Sequence, residues 1–111
     1  MEIHTDVIRD SLVIYCKGSL DLPNQAQLRS VIMGALNNDR KGIIVELSNV
    51  DFIDSSGLGV LIAGHRKSKE KGAKMVIAQA TRHNRLFTMG RLDKVFHLRP
   101  TIREALEFIG S

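Results

Sequence analysis

Apolar and polar positions alternate early in the chain and then fall into helical spacing, and each change of period marks a new element. Between Ile3 and Gly18, Leu12, Ile14 and Cys16 alternate with Val13, Tyr15 and Lys17. This predicts two strands joined by a tight turn near Arg9-Asp10. Pro23 suits the first turn of a helix, where a missing N–H costs nothing. From Asn24 to Leu36 the positions of Leu28, Val31 and Ile32 trace one helical face. The polar run 37–42 ends that helix. Ile43-Ile44-Val45 and Leu47 form a nearly continuous apolar run, as in a strand buried on both faces. Asn49 to Ser56 reads as a connection. Gly57 to Lys71 reads as a helix, apolar first and charged later, with Gly72 at its C-terminal stop. Met75 to Ala78 is another strand. Thr81 to Met89 is a short helix with Leu86, Phe87 and Met89 inward. Val95 to Leu98 is a last strand. Pro100-Thr101 opens a C-terminal helix whose face carries Ile102, Ala105, Leu106 and Ile109.

The predicted order is β-β-α-β-α-β-α-β-α, with about five strands and about four helices. Strands alternating with helices imply an α/β domain with a mostly parallel, mixed sheet. The second and third strands flank a helix, so they should be parallel with a right-handed crossover. Loops after parallel strands share one edge of the sheet, where ligand and partner sites collect. That edge should bring Gly18-Ser19-Leu20-Asp21 beside residues 51–56, with the loop around Gln79-Ala80-Thr81 next to them.

Composition narrows the class. The chain has 111 residues, 43% hydrophobic and 25% charged, as in an ordinary globular domain. Residues 1–111 are read as one domain. One cysteine excludes an internal disulfide framework and a Cys-based zinc site. No run reaches the roughly 20 apolar residues of a membrane helix, and the opening residues do not resemble a signal peptide. The expected setting is therefore the cytoplasm, without membrane insertion. His4, His65, His83 and His97 have no metal-ligand spacing, so each is expected to act singly, exposed or half-buried. Cys16 shares a strand face with Leu12 and Ile14 and should pack in the core. No metal or cofactor is expected.

The segment richest in chemistry is Asp54-Ser55-Ser56-Gly57-Leu58-Gly59. Its plainest role is a helix N-cap, since Asp and Ser oxygens accept from unpaired N–H groups. A cap needs one polar residue, and here there are three in a row. Two glycines in one helical turn cost up to about 1 kcal/mol each relative to Ala. They point to close backbone packing, or to access for a partner approaching the serines. Dinucleotide, P-loop and nucleophile-elbow readings fail. Ile62 stands where a third glycine is needed, His65-Arg66 where Lys-Ser/Thr is needed, and neither serine has a Gly-x-Ser-x-Gly frame. The chain is read as a binding protein, not an enzyme.

The run from Val50 to Leu61, with its Asp54-Ser55-Ser56-Gly57-Leu58-Gly59 core, resembles the signature of STAS domains, specifically the anti-sigma factor antagonists. Gly18-Ser19-Leu20-Asp21 resembles the family's Gly-Glu-Leu-Asp. Arg85-Leu86-Phe87 through Leu92-Asp93-Lys94-Val95-Phe96 resembles its third-helix-to-strand region. The resemblance spans nearly the whole chain and implies a phospho-switch. The partner would be an anti-sigma factor that is also an ATP-dependent serine kinase. It would phosphorylate Ser55 and lose its grip, and a metal-dependent serine phosphatase would restore binding. Asp21 matches a family acid near that serine. Asp21, Asp54, Ser55, Ser56, Gly57, Leu58 and Gly59 are the expected partner-binding residues. Ser19 departs from the family's usual Glu, and Gly90-Arg91-Leu92 from Thr-Gly-Leu; both bear on partner identity. The alternative is a STAS-type subunit of a lipid or anion transport system that is never phosphorylated, against which the intact Asp54-Ser55 pair argues.

Net charge is +4, and the pI is near 9.6, which invites a nucleic-acid reading. Aromatic content of 5% without Trp leaves little for base stacking. The charge is also uneven. Residues 66–94 hold nine Lys/Arg and two acids, whereas residues 1–65 hold five and eight. The basic stretch should thus lie away from the serine loop, as a solvated face or as a second surface that steers an acidic partner. No nucleic-acid partner is expected.

Overall fold

The computed structural model describes residues 1–110. Two strands open the chain, β1 (Glu2–Ile8) and β2 (Ser11–Leu20), paired antiparallel through the turn at Arg9 and Asp10. Both turn residues have positive φ, 50° and 67°, as a two-residue type I′ turn demands. Then come α1 (Gln25–Asn37), β3 (Gly42–Ile53), α2 (Ser55–Glu70) and β4 (Lys74–Ala78). A 3-10 turn (Thr81–His83) leads into α3 (Asn84–Met89), and a second (Leu92–Lys94) precedes β5 (His97–Arg99) and α4 (Ile102–Gly110). The five strands lie in the order β1-β2-β3-β4-β5, parallel except for β1. The mixed α/β sheet and the element order are those the hydrophobic pattern predicts.

The sheet has a core on each face. On one side Leu28, Ile32 and Leu36 of α1, Val60 and Leu61 of α2 and Phe87 of α3 pack on Ile14, Cys16, Ile43, Val45, Met75 and Ile77. On the other, Ala105 and Leu106 of α4 cover Val13, Ile44, Val76 and Ala78. Gly64 lets α2 settle between layers: a Cβ there would lie 2.9 Å from Met75 Sδ and 3.0 Å from Ile32 Cγ2.

Several boundaries differ from the expectation. Residues 49–53 are not a connection but the second half of β3, twelve residues long. Its register with β2 shifts twice, between Tyr15 and Lys17 and between Gly18 and Ser19. These bulges leave Leu47, Val50 and Ile53 buried, a spacing of three that no regular strand shows. Glu46, itself buried, accepts the Ser48 amide at 2.6 Å inside the first bulge. Gly18-Ser19-Leu20 likewise belongs to β2, not to a loop. Pro23 lies in the turn before α1 rather than in its first turn. The last strand begins at His97, since Val95 and Phe96 close the 3-10 turn through amides bonded to Leu92 O. Met89 is 72% exposed, not inward; Phe87 is the buried residue of α3, and a residue two positions further lies about 200° round the helix, on the opposite face.

β4 pairs with β3 only as far as Glu46–Ala78, whereas β2 follows β3 to Ile53. The ends of β2 and β3 therefore project beyond the rest of the sheet by seven residues of β3, about 20 Å of strand. The residues of interest sit on this projection.

Candidate functional site

The Asp54 backbone (φ −102°, ψ −175°) is extended, the geometry of an N-cap. Its Oδ1 accepts the Gly57 amide at 3.0 Å and closes the first turn of α2. Its Oδ2 accepts the Leu22 amide at 3.2 Å, thirty-two residues away. The Asp54 amide in turn donates to Leu20 O at 3.2 Å. Two hydrogen bonds thus clamp the exit of β2 to Asp54, and a third fixes Asp54 to the start of α2. Asp21 sits inside the clamped segment and accepts the Asn24 amide through Oδ1 at 3.3 Å. The expectation that the 18–21 segment meets the 51–56 segment at one edge holds.

α2 starts at Ser55, two residues earlier than expected. Ser55 is exposed and Ser56 half-buried. Among the described residues, the Ser55 hydroxyl has no hydrogen-bond partner. The amides of Gly57 and Leu58 are taken by Asp54, so those of Ser55 and Ser56 are the helix-start donors without an intrahelical acceptor.

The two glycines divide the roles foreseen for them. Gly57 is buried, and a Cβ there would strike the carbonyl oxygen and Cγ of Leu20. It is required for close packing. Gly59 is exposed, with open space around a would-be Cβ. It lies one turn beyond Ser55 on the same helical face.

Exposed apolar side chains gather around this edge. Leu22 is 67% exposed and Phe52 55%. Half-buried Leu58, Leu86 and Leu92 and exposed Met89 line an open groove of about 540 Å³ with Arg85 on its wall. Sequence reasoning named Leu58 here but missed Leu22 and placed Met89 inside.

A further support was also missed. His83 is buried, and its Nε2 lies 2.7 Å from Val50 O. Arg82 Nη1 donates to Asp51 Oδ1 at 3.1 Å and reaches Val50 O at 3.4 Å. These two residues occupy the flank of β3 that β4 leaves unpaired. They tie α3 to the strand that leads into Asp54. No spacing in the sequence announces this contact, because it joins residues more than thirty positions apart.

The basic stretch is therefore not segregated from the serine loop, as its position along the chain suggested. Arg82 and Arg85 stand at that edge, while Arg66, Lys67 and Lys69 ride the distal half of α2 and Lys71 caps its end.

His65 is buried as well, and its ring meets His97 at 5.5 Å and Phe96 at 5.8 Å. Burial holds both His65 and His97 below the usual imidazole range, each further lowered by nearby cations. Only two histidines meet here, and no group of three His, Cys, Asp or Glu able to hold a metal occurs among the described residues. Cys16 is buried, and its thiol is pushed up to about 12, first by burial and then by Glu46. No helix among the described residues is long and apolar enough to cross a membrane.

Residues 1–105 match the family model of the STAS domain. The chain belongs to the STAS domain family. It is 30% identical over 94 residues to the anti-sigma-F factor antagonist RsfB of Mycobacterium tuberculosis, covering 85% of this chain and 77% of that protein. Among solved structures, an anti-sigma factor antagonist from Mycobacterium paratuberculosis matches with a TM-score of 0.83 at 28% identity, over 99% of this chain and 94% of that one. The Bacillus cell fate determinant SpoIIAA, solved in its phosphorylated form, shares the fold. Its TM-score is 0.74 at 22% identity, over 97% of this chain and 99% of the other. The STAS sheet and helices thus coincide with the order read from the sequence.

Proposed function

We propose that this STAS domain is an anti-sigma factor antagonist, bound by a partner that is both anti-sigma factor and serine kinase, and switched off by phosphorylation of Ser55. The observation that carries the reading is an exposed, unpartnered Ser55 hydroxyl at a clamped helix start, with exposed Leu22 bonded through its amide to Asp54, exposed Phe52 three positions before the serine, and exposed Met89 in the groove beside Leu58. Apolar side chains held in water beside a polar centre are the composition of a docking surface. The relatives that carry the name anti-sigma factor antagonist support the same class.

The clamp explains why modification would change binding and leave the fold intact. Phosphate adds about −1.5 to −2 charge. At a helix start the free amides of Ser55 and Ser56 and the dipole favour an anion by roughly 0.3–1 kcal/mol. Asp54 stays in place because its oxygens already hold the Gly57 and Leu22 amides. The cost falls on the complex, where a dianion next to a carboxylate replaces a neutral hydroxyl at a desolvated contact. Every 1.4 kcal/mol lost there is about tenfold in affinity. A serine phosphatase acting on phospho-Ser55 would reset the switch.

The test is incubation with an anti-sigma factor kinase from the same genome and ATP, followed by mass mapping. One phosphate on Ser55 is expected, absent in Ser55→Ala, with kinase binding at least tenfold weaker for Ser55→Asp. Phosphate on another residue, or none with a kinase active on its own antagonist, overturns the reading.

A further inference from the structure

We infer that β1 is a self-recognition edge, through which two copies of this chain pair antiparallel about Thr5 into one continuous ten-stranded sheet. The inference does not rest on the switch reading.

β1 is the outer strand of the sheet, bonded to β2 on one side only. The two-residue turn makes Ile8–Ser11 a hydrogen-bonded pair, and such pairs alternate along an antiparallel ladder. Glu2, His4, Asp6 and Ile8 therefore direct their backbone groups at β2. Ile3, Thr5 and Val7 direct theirs outward. The Val7 amide bears this out: it donates to the carboxylate of its neighbour Asp6 at 2.9 Å instead of to β2. Val7 is 53% exposed.

The sequence of this edge is complementary to itself in one register. A two-fold axis at Thr5 sets Ile3 opposite Val7 of the second copy, His4 opposite Asp6, and Thr5 opposite Thr5. About six backbone hydrogen bonds form between outward groups. The apolar pairs continue the face on which Ile3 already packs against the main core. On the other face, where His4 meets Tyr15 at 5.9 Å, each imidazole donates to the facing carboxylate. Opposed unlike groups stabilise a cross-strand pair and like charges weaken it. The neighbouring registers fail this test. A shift one way opposes Asp6 to Glu2 and His4 to His4, and a shift the other way opposes Asp6 to Asp6.

Asp6 thus has two roles. Alone, it blunts the edge by capping the Val7 amide, as charged edge residues do. In the pair it releases that amide to Ile3 and turns to His4. A strand that offers no donor opposite Asp6 leaves a carboxylate without a counterpart. The paired area falls short of a standard interface of roughly 800 Å² per partner, so association is reversible and depends on concentration.

Sedimentation velocity of the full chain over a concentration series tests the proposal. A monomer–dimer equilibrium is expected. Thr5→Pro deletes an outward N–H that β2 does not use, so it should abolish the dimer with an unchanged far-UV spectrum. Val7→Lys should do the same if the proline variant fails to fold. His4→Asp should weaken association at least tenfold, and His4→Asp with Asp6→His should restore it. A wild-type chain that stays monomeric up to about 1 mM, or a folded Thr5→Pro or Val7→Lys that dimerises like wild type, overturns the proposal.

Discussion

At the scale of single residues, the site depends on two glycines that stand two positions apart in sequence and differ in what surrounds them. At Gly57 any side chain collides with Leu20. Gly57→Ala should therefore destabilise the domain by about 1–3 kcal/mol, as overpacking does, read from the urea midpoint. At Gly59 a methyl group meets nothing. Gly59→Ala should leave stability unchanged or raise it by up to about 1 kcal/mol through helix propensity. The same methyl lies on the Ser55 face and should weaken binding of the proposed kinase partner. Equal destabilisation by both substitutions would sink this division of roles. The motif made both glycines conspicuous, but only the neighbouring atoms separate them: Leu20 belongs to β2, and no local pattern reveals that it lies under α2.

At the scale of elements, one strand and one pair of helices show what periodicity can carry. β4 and the first half of β3 were legible, because short apolar runs bounded by polar turns have few other readings. The second half of β3 was not, because its bulges replace alternation with buried residues at intervals of three. The site motif was legible from local capping chemistry. The supports supplied by Arg82 and His83 were not, since they reach across the sheet edge to Val50 and Asp51. A second long-range meeting joins α2 to β5 and α4: His65 touches His97, and His97 lies 4.6 Å from Phe108, over which Arg99 and Lys74 are placed. Both imidazoles sit below the ordinary value near 6.5, His65 first through burial and then through His97 and Lys69, and His97 first through burial and then through Arg99, Lys74 and Lys69. The unfolded chain therefore binds more protons than the folded one as pH falls through about 6.5. Their contribution to stability is complete above that pH and is lost below it. Urea midpoints should hold steady from about pH 8 to 7 and drop towards about pH 5.5. His97→Gln should flatten the drop; an equally steep profile in that variant would refute the assignment.

At the scale of the whole molecule, charge is distributed by the fold and not by the sequence. The stretch 66–94 looked like one basic block. Folding sends its first half down α2 and away from the β2–β3 projection, brings Arg82 against Asp51 of β3, and brings Arg85 to the groove beside Leu58 and Met89. Arg82 is already engaged by Asp51, which leaves Arg85 as the cation on the groove wall, where the proposed partner is expected to be acidic. Partner association should accordingly slow as salt rises from about 0.05 to 0.5 M, where the Debye length shrinks several-fold. Arg85→Glu should reduce the association rate more than Lys69→Glu, measured by surface plasmon resonance; equal effects would count against a localised field. The Asp54 clamp has a consequence of another kind. It grips main-chain amides and a main-chain carbonyl, never a side chain, so the loop residues around it can drift without loosening it. Exchanging Leu22, Phe52 or Met89 would therefore alter the exposed surface of the proposed docking site and leave the hydrogen bonds under Ser55 in place.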